Sequence, residues 1–134
     1  MTFFMGIDPG YSGAIAILDP KGRFIDCVRL SETEHDVSEF MAKYAGAVEF
    51  AILEKVSAMP RQGVSSTFKF GTSYGFCRGL LVCHAVRFET ATPATWQRNL
   101  GCLSKGDKNV TKAARHSRCH ASSRVREEEG CMSG

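Results

Sequence analysis

The sequence holds no apolar run near the ~18 residues that a membrane-spanning helix needs. It has only four prolines and one tryptophan among its 134 residues. The first shortage excludes a helical membrane protein. The second, with 43% hydrophobic and 23% charged residues, excludes collagen-like, mucin-like and wholly disordered chains. No basic leader opens the sequence: Met1-Thr2-Phe3-Phe4-Met5-Gly6-Ile7 runs into Asp8. This is not a signal-peptide pattern, so a soluble cytoplasmic protein is expected. Six cysteines could suggest a disulfide scaffold, but Cys27, Cys77 and Cys83 sit inside apolar segments. There they are expected to act as reduced, small hydrophobes. His116, Cys119 and His120 lack the second paired set that zinc requires. No Ser-His-Asp arrangement with its elbow motif is present.

The net charge is only +3, but it is unevenly placed. Residues 1–54 balance at −5, residues 55–112 at +7 and residues 113–134 at +1. A basic middle segment fits a polyanionic partner such as nucleic acid; a solvated face is the plainer alternative.

Apolar runs and turn signals alternate along the chain. Phe3–Asp8, Ala14–Leu18 and Arg23–Leu30 are separated by Asp8-Pro9-Gly10 with Ser12-Gly13, and by Asp19-Pro20-Lys21-Gly22. This predicts an antiparallel three-strand meander. Val37, Phe40, Met41, Tyr44 and Ala45 recur at helical spacing, with Glu34, Asp36 and Glu39 towards the N-terminal end where the helix dipole favours acids. Glu49–Glu54 reads as a buried strand, and 57–66 as a polar loop. A long apolar helix is expected from Thr67 to His84, with His84 structural. Its glycines Gly71, Gly75 and Gly79 suggest close approach of another backbone, either the sheet or a bound strand, since each costs ~1 kcal/mol in a helix relative to alanine. A strand over Val86–Ala91, a helix opened by Pro93 and another capped by Asp107 follow. The expected class is α/β: one mixed sheet in which the meander gives way to alternating strands and helices. Residues 115–134, whose only large apolar residues are Val125 and Met132, are expected to be frayed.

Two of the apolar strands end in a carboxylate, Asp8 and Glu54. If those strands are neighbours, the two acids stand side by side as hard oxygen ligands for Mg²⁺ or Mn²⁺. Two solvated strand-end acids are the plainer reading. Gly6-Ile7-Asp8-Pro9-Gly10-Tyr11-Ser12-Gly13 joins an acid to a glycine-rich turn, which suits a metal nuclease or an actin-type or sugar-kinase phosphate loop. Lys55, Arg61, Lys69 and Arg78 would flank the acids and contact phosphate, with simple solvation as the alternative. Met59 or Phe68 could stack on a base, although core packing is the better reading of Phe68. Trp96 reads as a packing anchor.

The ordered series is more specific than any one motif. Gly6-Ile7-Asp8-Pro9-Gly10 with Ser12-Gly13 resembles the first strand of RuvC-like Holliday junction resolvases, which have an RNase H-like fold. Glu54-Lys55-Val56, Met59 and Lys69-Phe70-Gly71 resemble that family's second acidic strand and following helix. Met59-Pro60-Arg61-Gln62-Gly63-Val64-Ser65-Ser66-Thr67-Phe68 looks most like phage-type members. Thr92-Pro93 with Thr95-Trp96, and then Lys105-Gly106-Asp107-Lys108, resemble the next segments. The resemblance implies a nuclease domain over residues 1–114 and a non-matching tail over 115–134. It implies a Mg²⁺-dependent endodeoxyribonuclease that resolves branched DNA as a homodimer, in a bacterial or phage-infected cell. Asp8 would be the central metal-bridging carboxylate and Glu54 the second ligand. The family also carries acids on a C-terminal helix. Past Asp107 the acids here are Glu127, Glu128 and Glu129, in a polar run that does not match. A frayed tail does not preorganise a site. A non-catalytic, branched-DNA-binding relative is therefore the alternative, with an actin-like nucleotide-binding fragment behind it.

Overall fold

The computed structural model describes residues 1–55, 61 and 63–95. The chain divides into two compact units, Met1–Thr92 and Pro93–Gly134. In the second unit residues 93–95 are helical, as the proline predicts. The remainder of that helix, the helix from Asp107, the boundary at 114, the tail, Met59 and Trp96 lie outside the described residues.

The first unit is a five-stranded sheet with two helices. The strands are β1 (Phe3–Asp8), β2 (Ala14–Leu18), β3 (Phe24–Arg29), β4 (Val48–Glu54) and β5 (Phe88–Ala91). Helix α1 (Glu34–Ala45) joins β3 to β4, and α2 (Val64–Cys83) joins β4 to β5. The sheet order is β3-β2-β1-β4-β5. The meander is antiparallel, and β1–β4 and β4–β5 are parallel. This is the mixed α/β sheet of an RNase H-like fold.

Alternation decides which face each side chain takes. Met5 pairs with Ile17 and Ala51, and Ile7 with Ile15 and Leu53, so these six share one face. All six are buried, and they form a single core with Val37 and Met41 of α1 and Cys77 and Leu81 of α2. On the opposite face Phe4 and Ile52 are 37% and 38% exposed. Asp8 and Glu54 end β1 and β4 one residue beyond the Ile7–Leu53 pair.

Local chemistry holds the ends. Thr33 and Asp36 form a reciprocal capping box at the start of α1. In the second turn, the Asp19 carboxylate accepts from the Lys21 and Arg23 N–H groups at 2.8 and 2.9 Å and from Arg23 Nε at 2.7 Å. These bonds, the Arg23 N–H foremost, hold its carboxyl below the ordinary range. Helix α2 ends in a Schellman motif: Val86 N–H donates to Leu81 O and Ala85 N–H to Val82 O, with Ala85 at φ 53°.

Four expectations need correction. Helix α2 begins at Val64, inside the segment read as loop. Ser65 and Ser66 look like loop residues, but they fill a first turn whose N–H groups need no intrahelical partner. The Thr67 N–H and hydroxyl both donate to Gly63 O, which fixes that turn. The close approach of the sheet expected at Gly71, Gly75 and Gly79 is not found: a Cβ at each would meet nothing within 4 Å among the described residues. Gly75 and Gly79 each precede a core position by two residues, ~200° around the helix. Phe68 is 75% exposed rather than packed, being nine residues and half a rotation from Cys77. Cys27 and Cys83 are exposed, and only Cys77 is the buried small hydrophobe expected.

Candidate metal centre and adjoining cleft

Ile7 and Leu53 are partners in neighbouring parallel strands. Each is followed by the acid that ends its strand. Asp8 and Glu54 therefore stand at one level, at the ends of strands that lie ~4.8 Å apart. That is the C-terminal edge of the parallel strands, where open α/β sheets bind ligands.

The turn after Asp8 fixes its carboxylate. Gly10 N–H donates to Asp8 Oδ1 at 2.9 Å, and Gly13 N–H donates to Gly10 O at 2.9 Å. A Cβ on Gly13 would collide with the Asp8 carbonyl oxygen, so the turn closes only around glycine. Asp8 is exposed and Glu54 half-buried. Burial and then the Asp8 charge push the Cys77 thiol of α2 up to about 11. Cys77 is thus a neutral, inert neighbour of the carboxylate.

Beside the turn that follows Asp8 lies a cleft of 680 Å³. Gly10 and Tyr11 of the turn form one side, and Ser66, Lys69, Phe70 and Ser73 of α2 the other. A second cleft of 320 Å³ continues towards α1 and shares Tyr11, Leu30, Lys69 and Ser73 with the first. Sequence reasoning did not single out Tyr11, Ser31, Ser66 or Ser73 as cleft residues. Only the 87% exposure of Tyr11, an aromatic in a glycine-rich turn, leaves a trace that a sequence could carry.

The four basic residues separate. Lys69 is exposed and lines both clefts. Lys55 is exposed next to Glu54, and its N–H ties β4 to Ala91 O at 2.7 Å. Arg61 is exposed at φ 71°. Arg78 lies 5.9 Å over the Tyr74 ring, a cation–π contact. Asp8 and Glu54 are thus brought to one edge, and Lys69 into the cleft beside it.

Solved structures share this architecture. The RuvC protein of Thermus thermophilus in complex with a Holliday junction substrate superposes with a TM-score of 0.52 at 15% identity, covering 78% of this chain and 71% of that one. Another Thermus thermophilus RuvC structure gives 0.52 at 16% identity, covering 81% and 75%. The fold is RuvC-like. No family model and no curated protein matches the sequence.

The donors fit a hard divalent cation. Two carboxylate oxygen donors completed by water are a set that Mg²⁺ accepts. Among the described residues, no cluster of three or more His, Cys, Asp or Glu side chains occurs.

Proposed function

We propose that this chain is a Mg²⁺-dependent, structure-selective endodeoxyribonuclease acting on branched DNA such as Holliday junctions. One observation carries the reading: Ile7 pairs with Leu53 in adjacent parallel strands, and Asp8 and Glu54 are the next residue of each at the C-terminal edge. The RuvC-like fold and the basic balance of residues 55–112 support it. Asp8 and Glu54 would hold Mg²⁺, with Mn²⁺ as substitute. When bound, the ion supplies a Lewis acid beside the scissile phosphate and an activated water. The chain's own part is to position. Gly10 N–H orients the Asp8 carboxylate, and Lys69 in the cleft contacts a backbone phosphate, with Lys55, Arg61 and Arg78 as further phosphate contacts. In the reaction a water oxygen bonds to phosphorus, one ester P–O bond breaks, and the proton passes to the leaving oxygen. A homodimer suits the two symmetric cuts that a four-way junction offers. The site of action is the cytoplasm of a bacterial or phage-infected cell.

A second reading is a branched-DNA-binding protein without cleavage. It is favoured by the acids past Asp107, which are confined to Glu127–Glu129 in a polar run. A synthetic four-way junction incubated with the full chain and Mg²⁺, beside Asp8→Asn, separates the two. Cleavage abolished by Asp8→Asn is the expected result. Binding without cleavage establishes the second reading. A folded chain that neither binds nor cuts the junction refutes both.

A further inference from the structure

We propose that the smaller cleft, between α2 and the start of α1, takes one unpaired nucleobase of the bound DNA and prefers a base with an exocyclic amine. This inference rests on the branched-DNA reading and adds to it a ligand, a place and a selectivity.

The cleft's chemistry is divided. Lys69 lines both clefts, but the smaller one adds Glu32 and Glu34. Two carboxylates repel a phosphate, so the sugar–phosphate chain is kept to the Lys69 side. What the smaller cleft can take is neutral, flat and partly apolar. Val37, 1% exposed, lies at its base. Tyr11 and Phe68 line it while remaining 87% and 75% exposed. Large aromatic rings left in water at a cleft are stacking platforms for bases, which need no sequence match to stack. At 320 Å³ the cleft is at the small end of ligand pockets. Because Lys69 belongs to both spaces, one nucleotide can place its phosphate at Lys69 and its base in the smaller cleft.

The polar groups set the preference. The carboxylates of Glu32 and Glu34 only accept when ionised. The Thr72 hydroxyl already donates to Phe68 O at 2.9 Å, which leaves it as an acceptor towards the cleft. Lys69 donates but is taken by the phosphate, and the Ser73 hydroxyl can donate or accept. The remaining acceptors, Glu32, Glu34 and Thr72, pair with the amines of cytosine, adenine or guanine, as carboxylates do with the cytosine N4 amine. Thymine presents a carbonyl oxygen where cytosine presents that amine, and keeps N3–H as its one donor on that edge. An unpaired base is available at a branch point at lower cost than one extruded from a duplex.

The test uses the full chain and four-way junctions carrying one unpaired nucleotide at the branch: 5-methylcytosine, thymine or an abasic residue. Binding is measured without divalent metal. 5-Methylcytosine and thymine have nearly the same shape and differ in hydrogen-bonding pattern, a 4-amine and an N3 acceptor against a 4-carbonyl and an N3–H, so a difference reports that edge rather than stacking. The expected result is about tenfold tighter binding of 5-methylcytosine than of thymine, with thymine nearer the abasic residue. Glu32→Ala/Glu34→Ala should erase that preference while raising affinity for all three, because repulsion is removed. Tyr11→Ala should bring both bases towards the abasic value. A variant that merely unfolds loses all binding, and a thermal melt identifies it. Equal affinity of the wild-type chain for all three junctions overturns the inference while leaving the branched-DNA reading intact. No binding to any junction overturns both.

Discussion

Gly13 closes against the carbonyl oxygen of Asp8, leaving no room for a Cβ. The same turn sets Gly10 N–H on Asp8 Oδ1, so the steric demand at Gly13 and the orientation of the carboxylate are one constraint. Gly13→Ala must open the turn and is expected to cost about 1–3 kcal/mol, read as a lower urea midpoint at unchanged slope. Gly10→Ala meets Asp8 Oδ1 at 3.1 Å, a contact with a side chain that can shift. It should cost less stability but move the carboxylate. Equal midpoints for wild type and Gly13→Ala would show that the turn tolerates a Cβ beside the Asp8 carbonyl oxygen.

Asp26 of β3 accepts from the Tyr44 hydroxyl of α1 at 2.6 Å and from Lys43 Nζ at 3.3 Å. The Tyr44 bond, more than any other cause, holds the Asp26 carboxyl below its ordinary 3.8. A carboxyl depressed in the folded state stabilises fully above its unfolded value, and that stability is lost as pH falls through the folded one. Tyr44→Phe should therefore weaken the fall in stability below about pH 4. At neutral pH it should cost about 1 kcal/mol, below the ~1.5–3 typical of bonds to charged groups because Asp26 keeps contact with water. Urea titrations at pH 7 and pH 3 check this. The difference between the two proteins should shrink at the lower pH.

The same dependence on local against distant information explains how legible the sequence is. Strands β1 and β2 keep the bounds that their apolar runs and proline–glycine turns predict, because both signals are local. The pairing of Ile7 with Leu53 is not local: 46 residues separate them, and no period in the sequence states that β4 lies against β1. The two strand-end acids can be picked out one by one, but only the sheet order makes them neighbours. The clefts are harder still, since Tyr11, Glu32 and Lys69 come from two loops and a helix. Phe68 misleads because hydrophobicity alone does not say which side of an apolar helix meets the sheet.

Cys77 has an elevated thiol pKa of about 11, through burial first and the Asp8 charge second. Thiolate is the reactive form, so a thiol reagent at pH 8 should spare Cys77 in the folded chain and modify Cys27 and Cys83, which are exposed. Peptide mapping by mass spectrometry reads each site separately. Asp8→Asn removes the smaller cause and leaves burial, so Cys77 should stay protected in that variant. Rapid labelling of Cys77 in native wild type would mean that α2 lifts from the sheet far more often than its packing implies.

Metal binding can be tested without any substrate. A ligand that binds only the folded chain stabilises it by RT ln(1 + [L]/Kd). For a two-carboxylate site with a dissociation constant near 1 mM, 10 mM Mg²⁺ should add about 1.4 kcal/mol. In a unit of this size that is a rise of several degrees in Tm, about 4–8 °C per kcal/mol. Asp8→Asn and Glu54→Gln should each remove most of the rise, and Glu49→Gln should keep it. Glu49 lies at the opposite end of β4 from Glu54, so it controls for loss of one negative charge. Potassium chloride at matched ionic strength removes the contribution of simple screening. Equal shifts in wild type and Asp8→Asn would place the ion elsewhere. A shift lost in both strand-end variants and kept in Glu49→Gln would assign the ion to the paired ends of β1 and β4.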